Sequence, residues 1–258
     1  MHPRLTILLS QFEPADVARA GGIRVGLSAR RIVPAEGQTV LAQLARYGLA
    51  LTHISQPGLV PIGEPHLMER GYQDLMDAID KAAALGAGIV YGPTGGAPAL
   101  EWDDAADVFA ARIAPAVRRA RERDVLLLIE PTIMMIAHLS IVHTLRDTID
   151  LAERTGLGVC LDVHHVWAER DLRGAITRAG PRIGLVQLSD WIPGISHHFR
   201  AVPGTGAIPL ERIVGWILDT GYQGLFDLEL RPDPKIPDTD TLARAIDHAG
   251  SLLARLGA

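Results

Sequence analysis

Eight short runs rich in leucine and β-branched residues alternate with longer amphipathic segments along the whole chain. No other feature limits the available folds as sharply. The strand-like runs are Leu5–Leu9, Ile23–Leu27, Ala50–Ile54, Gly88–Tyr91, Val125–Glu130, Gly158–Asp162, Gly184–Leu188 and Phe226–Leu230. Between them, helical periodicity covers Thr39–Tyr47, Leu67–Leu85, Asp103–Arg123, Ile141–Thr155, Asp171–Ala179 and Leu210–Thr220, and Thr241–Leu256 closes the chain. Leu67, Leu75, Ile79 and Ala82 share one helix face, as do Val108, Ile113, Ala116 and Val117. Gly86, Gly156, Gly180 and Gly221 follow helices, where a left-handed residue is expected. Strands this uniformly apolar are covered on both faces, as in a parallel sheet wrapped by helices. An open doubly wound sheet lacks its mark, because no Gly-x-Gly-x-x-Gly follows the first strand. The expectation is an α/β chain folded as a single (β/α)8 barrel over residues 1–258, with a shortened first unit in which Glu13–Gly21 holds only a stub of helix.

Composition narrows the function. The 258 residues are 48% hydrophobic and 21% charged, which excludes wholesale disorder. A net charge of −5, with no basic run beyond Arg118–Arg123, argues against a grip on nucleic-acid phosphate. A single cysteine excludes an internal disulfide framework and a cysteine-rich zinc site, and suits a reducing compartment. The longest apolar runs, such as Val125–Ile129, are far short of the ~20 residues of a membrane span. Gln11, Glu13 and Asp16 stand where a signal peptide would be cleaved. The chain reads as cytoplasmic, acting on a small molecule rather than a nucleic acid or membrane, with a homo-oligomer left open.

In a (β/α)8 barrel, chemistry gathers where the strands end. Strand five ends in Glu130, strand six in Asp162, strand seven carries Gln187, and strand eight carries Glu229. Acidic groups converging at a barrel mouth repel one another unless a proton or a cation intervenes. A divalent metal removes the conflict, with Gln187 as a neutral fourth oxygen. An oxygen-dominated set favours Mn²⁺ first, then Mg²⁺ or Co²⁺, over zinc.

These residues carry a resemblance. Glu130-Pro, Asp162-x-x-His165, Gln187-Leu-Ser-Asp190, Arg200-x-x-Pro-Gly204-x-Gly206 and Leu-Glu229-Leu are similar to motifs of the xylose isomerase-like barrel superfamily. That group, of sugar phosphate isomerase/epimerase type, includes ketose 3-epimerases, hydroxypyruvate isomerase, inosose dehydratase, some 3-dehydroshikimate dehydratases and endonuclease IV. The resemblance is best from about Gly86 to Arg231. It implies Glu130, Asp162, the strand-seven residue and Glu229 as metal ligands, with His165 and Arg200 on substrate oxygens. Strand seven departs from the pattern, having Gln187 where many relatives have histidine. The endonuclease branch needs an Asp-x-His pair before the Gly-x-Gly turn, and Arg200 and Val202 stand there instead.

A dication holding both oxygens of an α-hydroxy carbonyl acidifies the intervening C–H and stabilises the enediolate. Glu130 and Glu229 are then the acid/base pair: one takes the proton, the other returns it to the opposite face or the neighbouring carbon. The expected activity is a metal-dependent isomerase or epimerase of a sugar-like hydroxy-ketone. A lyase that expels a β-hydroxyl as water is the second reading, and a non-catalytic binding or partner barrel the third. Lys81 and Lys235 are the only lysines and neither is on a strand, which disfavours a Schiff-base aldolase.

Other residues have lesser expectations. His53, Tyr91 and Trp191 are candidates to face the substrate. His164 should point away from His165 if the strand continues. His197 and His198 lie in a loop before Arg200. Cys160 reads as core filler, and Asp227 as a buried carboxylate behind Glu229. Met134, Met135, Trp167 and Trp191 read as rim packing, or as an apolar wall for a cyclic or aryl-bearing substrate. Gly92–Gly96 reads as a tight turn more than as an anion cradle.

Overall fold

A computed structural model describes residues 1–32, 37–196, 198–232 and 240–258. Eight parallel strands close in sequential order: β1 Leu5–Leu8, β2 Arg24–Ser28, β3 Ala50–Ser55, β4 Ile89–Gly92, β5 Leu126–Ile129, β6 Gly158–Asp162, β7 Ile183–Leu188 and β8 Leu225–Leu228. Closure is by β1 against β8, with Thr6 opposite Asp227. The (β/α)8 barrel expected from the alternation is the fold observed. Helices α1 Pro14–Arg19, α2 Ala29–Ile32, α3 Gly37–Tyr47, α4 Met68–Leu85, α5 Trp102–Glu122, α6 Leu145–Thr155, α7 Val163–Val166, α8 Leu172–Ala179, α9 Leu210–Asp219 and α10 Thr241–Arg255 surround it.

The short first unit is present: α1 has six residues, started by Pro14 and by a capping box between Glu13 and Asp16. Differences from the expected elements have local causes. Helix α6 begins at Leu145 rather than Ile141, because the Thr144 side chain accepts from the Asp147 amide and so sets the start. Gly180 is right-handed (φ −38°) and opens a 3₁₀ turn, whereas Gly86, Gly156 and Gly221 take the expected left-handed conformation. Helices α2 and α7 are single turns that hydrophobic periodicity does not announce.

Outside the barrel wall, apolar strand residues such as Ile7, Val25 and Ile129 pack against the helices; inside it, Ile89, Tyr91, Leu128, Cys160 and Leu185 form a separate small cluster. Such a floor leaves polar side chains only the carboxyl end of the cylinder and the layer just beneath it. Among the described residues, no helix is long and apolar enough to cross a membrane.

The long β7–α9 connection is tied down by Asp190. Its buried carboxylate accepts from the amides of Trp191 (2.8 Å), Gly204 (2.9 Å), Gly206 (2.9 Å) and Ile208 (3.0 Å). Gly206 permits this approach, since a Cβ there would lie 2.4 Å from Asp190 Oδ1. Isolated antiparallel bridges from Asp190 to Ala201 and from Arg200 to Arg231 then fix the Arg200 backbone beside the end of β8.

A carboxylate-rich centre at the carboxyl end of the barrel

Glu130 is the first residue beyond β5, its amide donating to Gly92 O at 3.0 Å. Asp162 ends β6 and caps α7, its Oδ1 accepting from the His164 amide at 2.9 Å. The helical turn so begun brings His165 back over Asp162, with Nε2 3.3 Å from Oδ2. The strand does not continue through His164, as the expectation for that residue assumed; the two imidazoles lie edge-on, 5.9 Å apart, on one turn of helix. Gln187 is fully buried in β7, and Glu229 is the first residue beyond β8.

Arg200 joins these groups from above. Its Nη2 lies 2.7 Å from Asp162 Oδ2 and 2.9 Å from His165 Nε2, and its Nε lies 3.5 Å from Glu229 Oε1. Gln187 Nε2 faces three acceptors: Glu229 Oε2 at 2.6 Å, Tyr91 Oη at 2.9 Å and Asp227 Oδ2 at 3.2 Å. Its Oε1 meets the Cys160 thiol at 3.3 Å. Asp162, Gln187 and Glu229, together with His165 and Arg200, therefore form one connected cluster, and a Glu130 carboxylate oxygen lies within 4.8 Å of Asp162 and His165.

Burial, then the charges of Glu229 and Asp162, push the Glu130 carboxyl well above the usual carboxylate range. Burial also raises Glu229, with Arg200 offsetting part of the effect. Burial opposes the charge on Asp162 as well, yet Arg200 and His165 hold that carboxyl well below its ordinary value. Arg200 keeps its proton more firmly than usual, because Asp162 and Glu229 outweigh its own burial.

The donor set fits a hard divalent cation. Glu130, Asp162 and His165 each offer a ligand atom within 4.8 Å of the others. Glu229 and Gln187 border the same groups through Arg200 and through each other. Two details depart from the sequence expectation. His165, expected on substrate, lies inside the metal-competent group. Gln187, expected to ligate through oxygen, presents its nitrogen to Glu229, and half a turn of the amide exchanges the two atoms.

The remaining candidates separate by depth. His53 and Tyr91 are buried inside the barrel, behind Gln187 and not at the open rim; His53 Nε2 lies 3.5 Å from Asp227, and burial with the Glu229 charge pushes the Tyr91 hydroxyl well above its ordinary range. Cys160 is core filler, its thiol pushed up by burial and by Glu130. Trp191 packs on Trp167, ring centroids 5.8 Å apart, and both are half-buried. Met134 and Met135 are 67% and 70% exposed, so rim packing does not account for them. The Gly95 amide is committed to Leu139 O and the Thr94 hydroxyl receives the Ile141 amide, which ties the Gly92–Gly96 loop to the segment after β5. His198 is exposed, while His197 and Lys235 lie outside the described residues. Sequence reading missed the role of Asp190, although an aspartate followed by Gly-x-Gly was the available signal.

Comparison with known proteins is consistent with this geometry. Residues 12–252 match the family model described as the xylose isomerase-like TIM barrel. A 3-dehydroshikimate dehydratase of Pseudomonas aeruginosa is 31% identical over 118 residues, 42% of this chain and 18% of that protein. The matched stretches span less than a third of the curated relatives' own length. A solved structure from Sinorhizobium meliloti 1021 superposes with a TM-score of 0.83 at 26% identity, covering 97% of this chain and 98% of the other. The D-psicose 3-epimerase of Clostridium cellulolyticum H10, solved with D-tagatose, gives 0.77 at 17% identity over 98% of both chains, a likeness of fold. With a closed barrel, an acidic centre at its carboxyl end and a family model matching nearly its full length, the chain belongs to the xylose isomerase-like TIM barrel family.

Proposed function

We propose that this protein is a metal-dependent isomerase or epimerase acting on a sugar-like α-hydroxy ketone by proton abstraction. The observation that carries the reading is the meeting of Glu130, Asp162 and Glu229 around Arg200 and His165 at the ends of β5, β6 and β8. Glu130, Asp162 and Glu229 would hold the ion, Gln187 steadying Glu229 through its 2.6 Å hydrogen bond, with His165 on the shared edge between ligand set and substrate. When bound, a divalent ion of the Mn²⁺ or Mg²⁺ type supplies electrostatic stabilisation to the two substrate oxygens as charge develops between them.

The protein's own groups do the rest. Glu229, beside Arg200 Nε, is the better placed to be ionised and takes the proton from the carbon next to the carbonyl. Glu130, the other carboxyl of the pair, returns one to the opposite face for epimerisation, or to the neighbouring carbon for isomerisation. Arg200 and His165 donate to substrate oxygens, and the half-buried Trp167–Trp191 pair offers an apolar wall beside them. A small-molecule substrate in the cytoplasm suits this reading, and a homo-oligomer is compatible with it.

One observation favours a second reading. The 118-residue match to a dehydratase supports loss of a β-hydroxyl as water from the same enediolate. Solvent deuterium exchange into candidate hydroxy-ketones, followed by mass spectrometry and ultraviolet absorbance, tests both. Exchange without new absorbance supports the isomerase or epimerase, new conjugated absorbance supports the dehydratase, and neither signal in metal-loaded protein refutes proton abstraction.

A further inference from the structure

Beside Gln187, the barrel interior holds polar groups that an apolar core would exclude. Asp227 and His53 have no exposed surface. Strand pairing sets Asp227 between Gln187 on β7 and Thr6 on β1, and sets His53 opposite Gly26 on β2. Asp227 Oδ2 accepts from Gln187 Nε2 at 3.2 Å and lies 3.5 Å from His53 Nε2. The other imidazole nitrogen meets Thr52 Oγ1 at 3.0 Å, and Thr52 is in turn held by the Thr6 hydroxyl at 2.8 Å and by Val25 O at 3.0 Å. Asp227 Oδ1 finds no hydrogen-bond donor among the described residues, and His53 Nε2 makes no hydrogen bond either, so the imidazole meets Asp227 as a neighbour rather than as a donor. Gly26 makes room for the ring, because a Cβ there would lie 1.8 Å from His53 Nε2.

A buried carboxylate with one oxygen unsatisfied costs stability that leucine at the same place would not. Nothing in the packing of the barrel requires it. What the group does touch is Gln187, the neutral member of the strand-end set, at the nitrogen that donates to Glu229.

We propose that His53 and Asp227 are a positioning pair for the metal centre. The pair, anchored by Thr52, holds the Gln187 side-chain amide in one orientation and, through the 2.6 Å Gln187–Glu229 hydrogen bond, fixes the Glu229 carboxylate. Neither residue touches substrate. This rests on reading Glu229 as a metal ligand, which Gln187 steadies through its nitrogen in the orientation held here, so one readout is chosen to be independent of metal.

The experiment compares wild type with Asp227→Leu and Asp227→Asn, measuring Mn²⁺ affinity by titration, thermal stability, and the Gln187 side-chain amide protons by ¹⁵N NMR. In the wild type those protons are expected to be protected from exchange and resolved from solvent-like glutamine signals. Asp227→Leu should lose the protection and weaken Mn²⁺ binding by about 10–100-fold, as loss of an outer-sphere partner does, while its melting temperature stays level or rises. Asp227→Asn, which keeps an acceptor, should restore most of the affinity. Gly26→Ala, which displaces the imidazole without altering a polar group, gives the same two readouts if Asp227→Leu does not fold. A lowered melting temperature with unchanged affinity and unchanged Gln187 amides would mean a structural role only, and overturns the proposal. A wild type that binds no Mn²⁺ defeats the metal reading, and the Gln187 amides then still decide whether the pair holds that side chain.

Discussion

Arg200 Nη2 stands 2.7 Å from Asp162 Oδ2, a buried ion pair that ties the loop after β7 to the end of β6 across the barrel mouth. The pair makes Asp162 the one carboxylate of the centre whose charge is secured before any metal arrives. Under the proposed function, the same guanidinium would meet negative charge developing on substrate.

Removing that guanidinium should be costly in the metal-free protein. Arg200→Met leaves Asp162 and Glu229 buried without their cation, a loss of about 3–5 kcal/mol by analogy with other broken buried pairs. Chemical denaturation of metal-stripped protein should show the loss, and saturating Mn²⁺ should recover much of it because a dication replaces the missing charge. Equal stability of Arg200→Met and wild type without metal would contradict the arrangement.

The acid/base assignment separates two otherwise similar glutamates from their structural neighbours. Glu130→Gln and Glu229→Gln should each reduce conversion of substrate to product by about 10²–10⁴-fold, with folding intact by circular dichroism. Conversion at the wild-type rate in either variant excludes that residue as the acid or base.

Stability without metal should fall as pH rises. Glu130 and Glu229 have folded-state values raised above the ordinary 4.5, so the stability they contribute is fully present below that value and lost as pH climbs through the raised one. Asp162 has the opposite sign: its value is depressed, so its contribution is present above the ordinary 3.8 and lost only as pH falls through the depressed value. Thermal melts of stripped protein from pH 4 upward should therefore show a declining midpoint, and Mn²⁺ should flatten the decline. A midpoint that rises steadily with pH in the stripped protein would be inconsistent with the two raised glutamates.

Asp190 is expected to matter through the loop that carries Arg200. Asp190→Ala strips a charged acceptor from the amides of Trp191, Gly204, Gly206 and Ile208. Loss of even one such charge-assisted bond costs about 1.5–3 kcal/mol. The variant should also show faster hydrogen exchange confined to residues 190–208, where wild-type exchange rates would argue that the loop holds itself.

The strands were legible because they are short, apolar on both faces and punctuated by glycine, so β6 was located to the residue and Glu130 and Glu229 fell at or just past a strand end. The single turns α2 and α7 were not, since four residues carry no hydrophobic period and α7 is started by the Asp162 cap. That cap, invisible as a pattern, is also why His165 turns into the centre. The Asp190 clamp and the His53–Asp227 pair depend on contacts between elements far apart in the chain. Gly26, which the His53 ring requires, looks like any other glycine until the ring is seen against it.

The central claim is that one divalent ion sits among Glu130, Asp162 and Glu229. Isothermal titration of metal-stripped protein with Mn²⁺ tests it most directly. A single saturable site per chain, abolished in Asp162→Asn, is the expected result, and the absence of saturable binding in the wild type, or equal binding in Asp162→Asn, would contradict it.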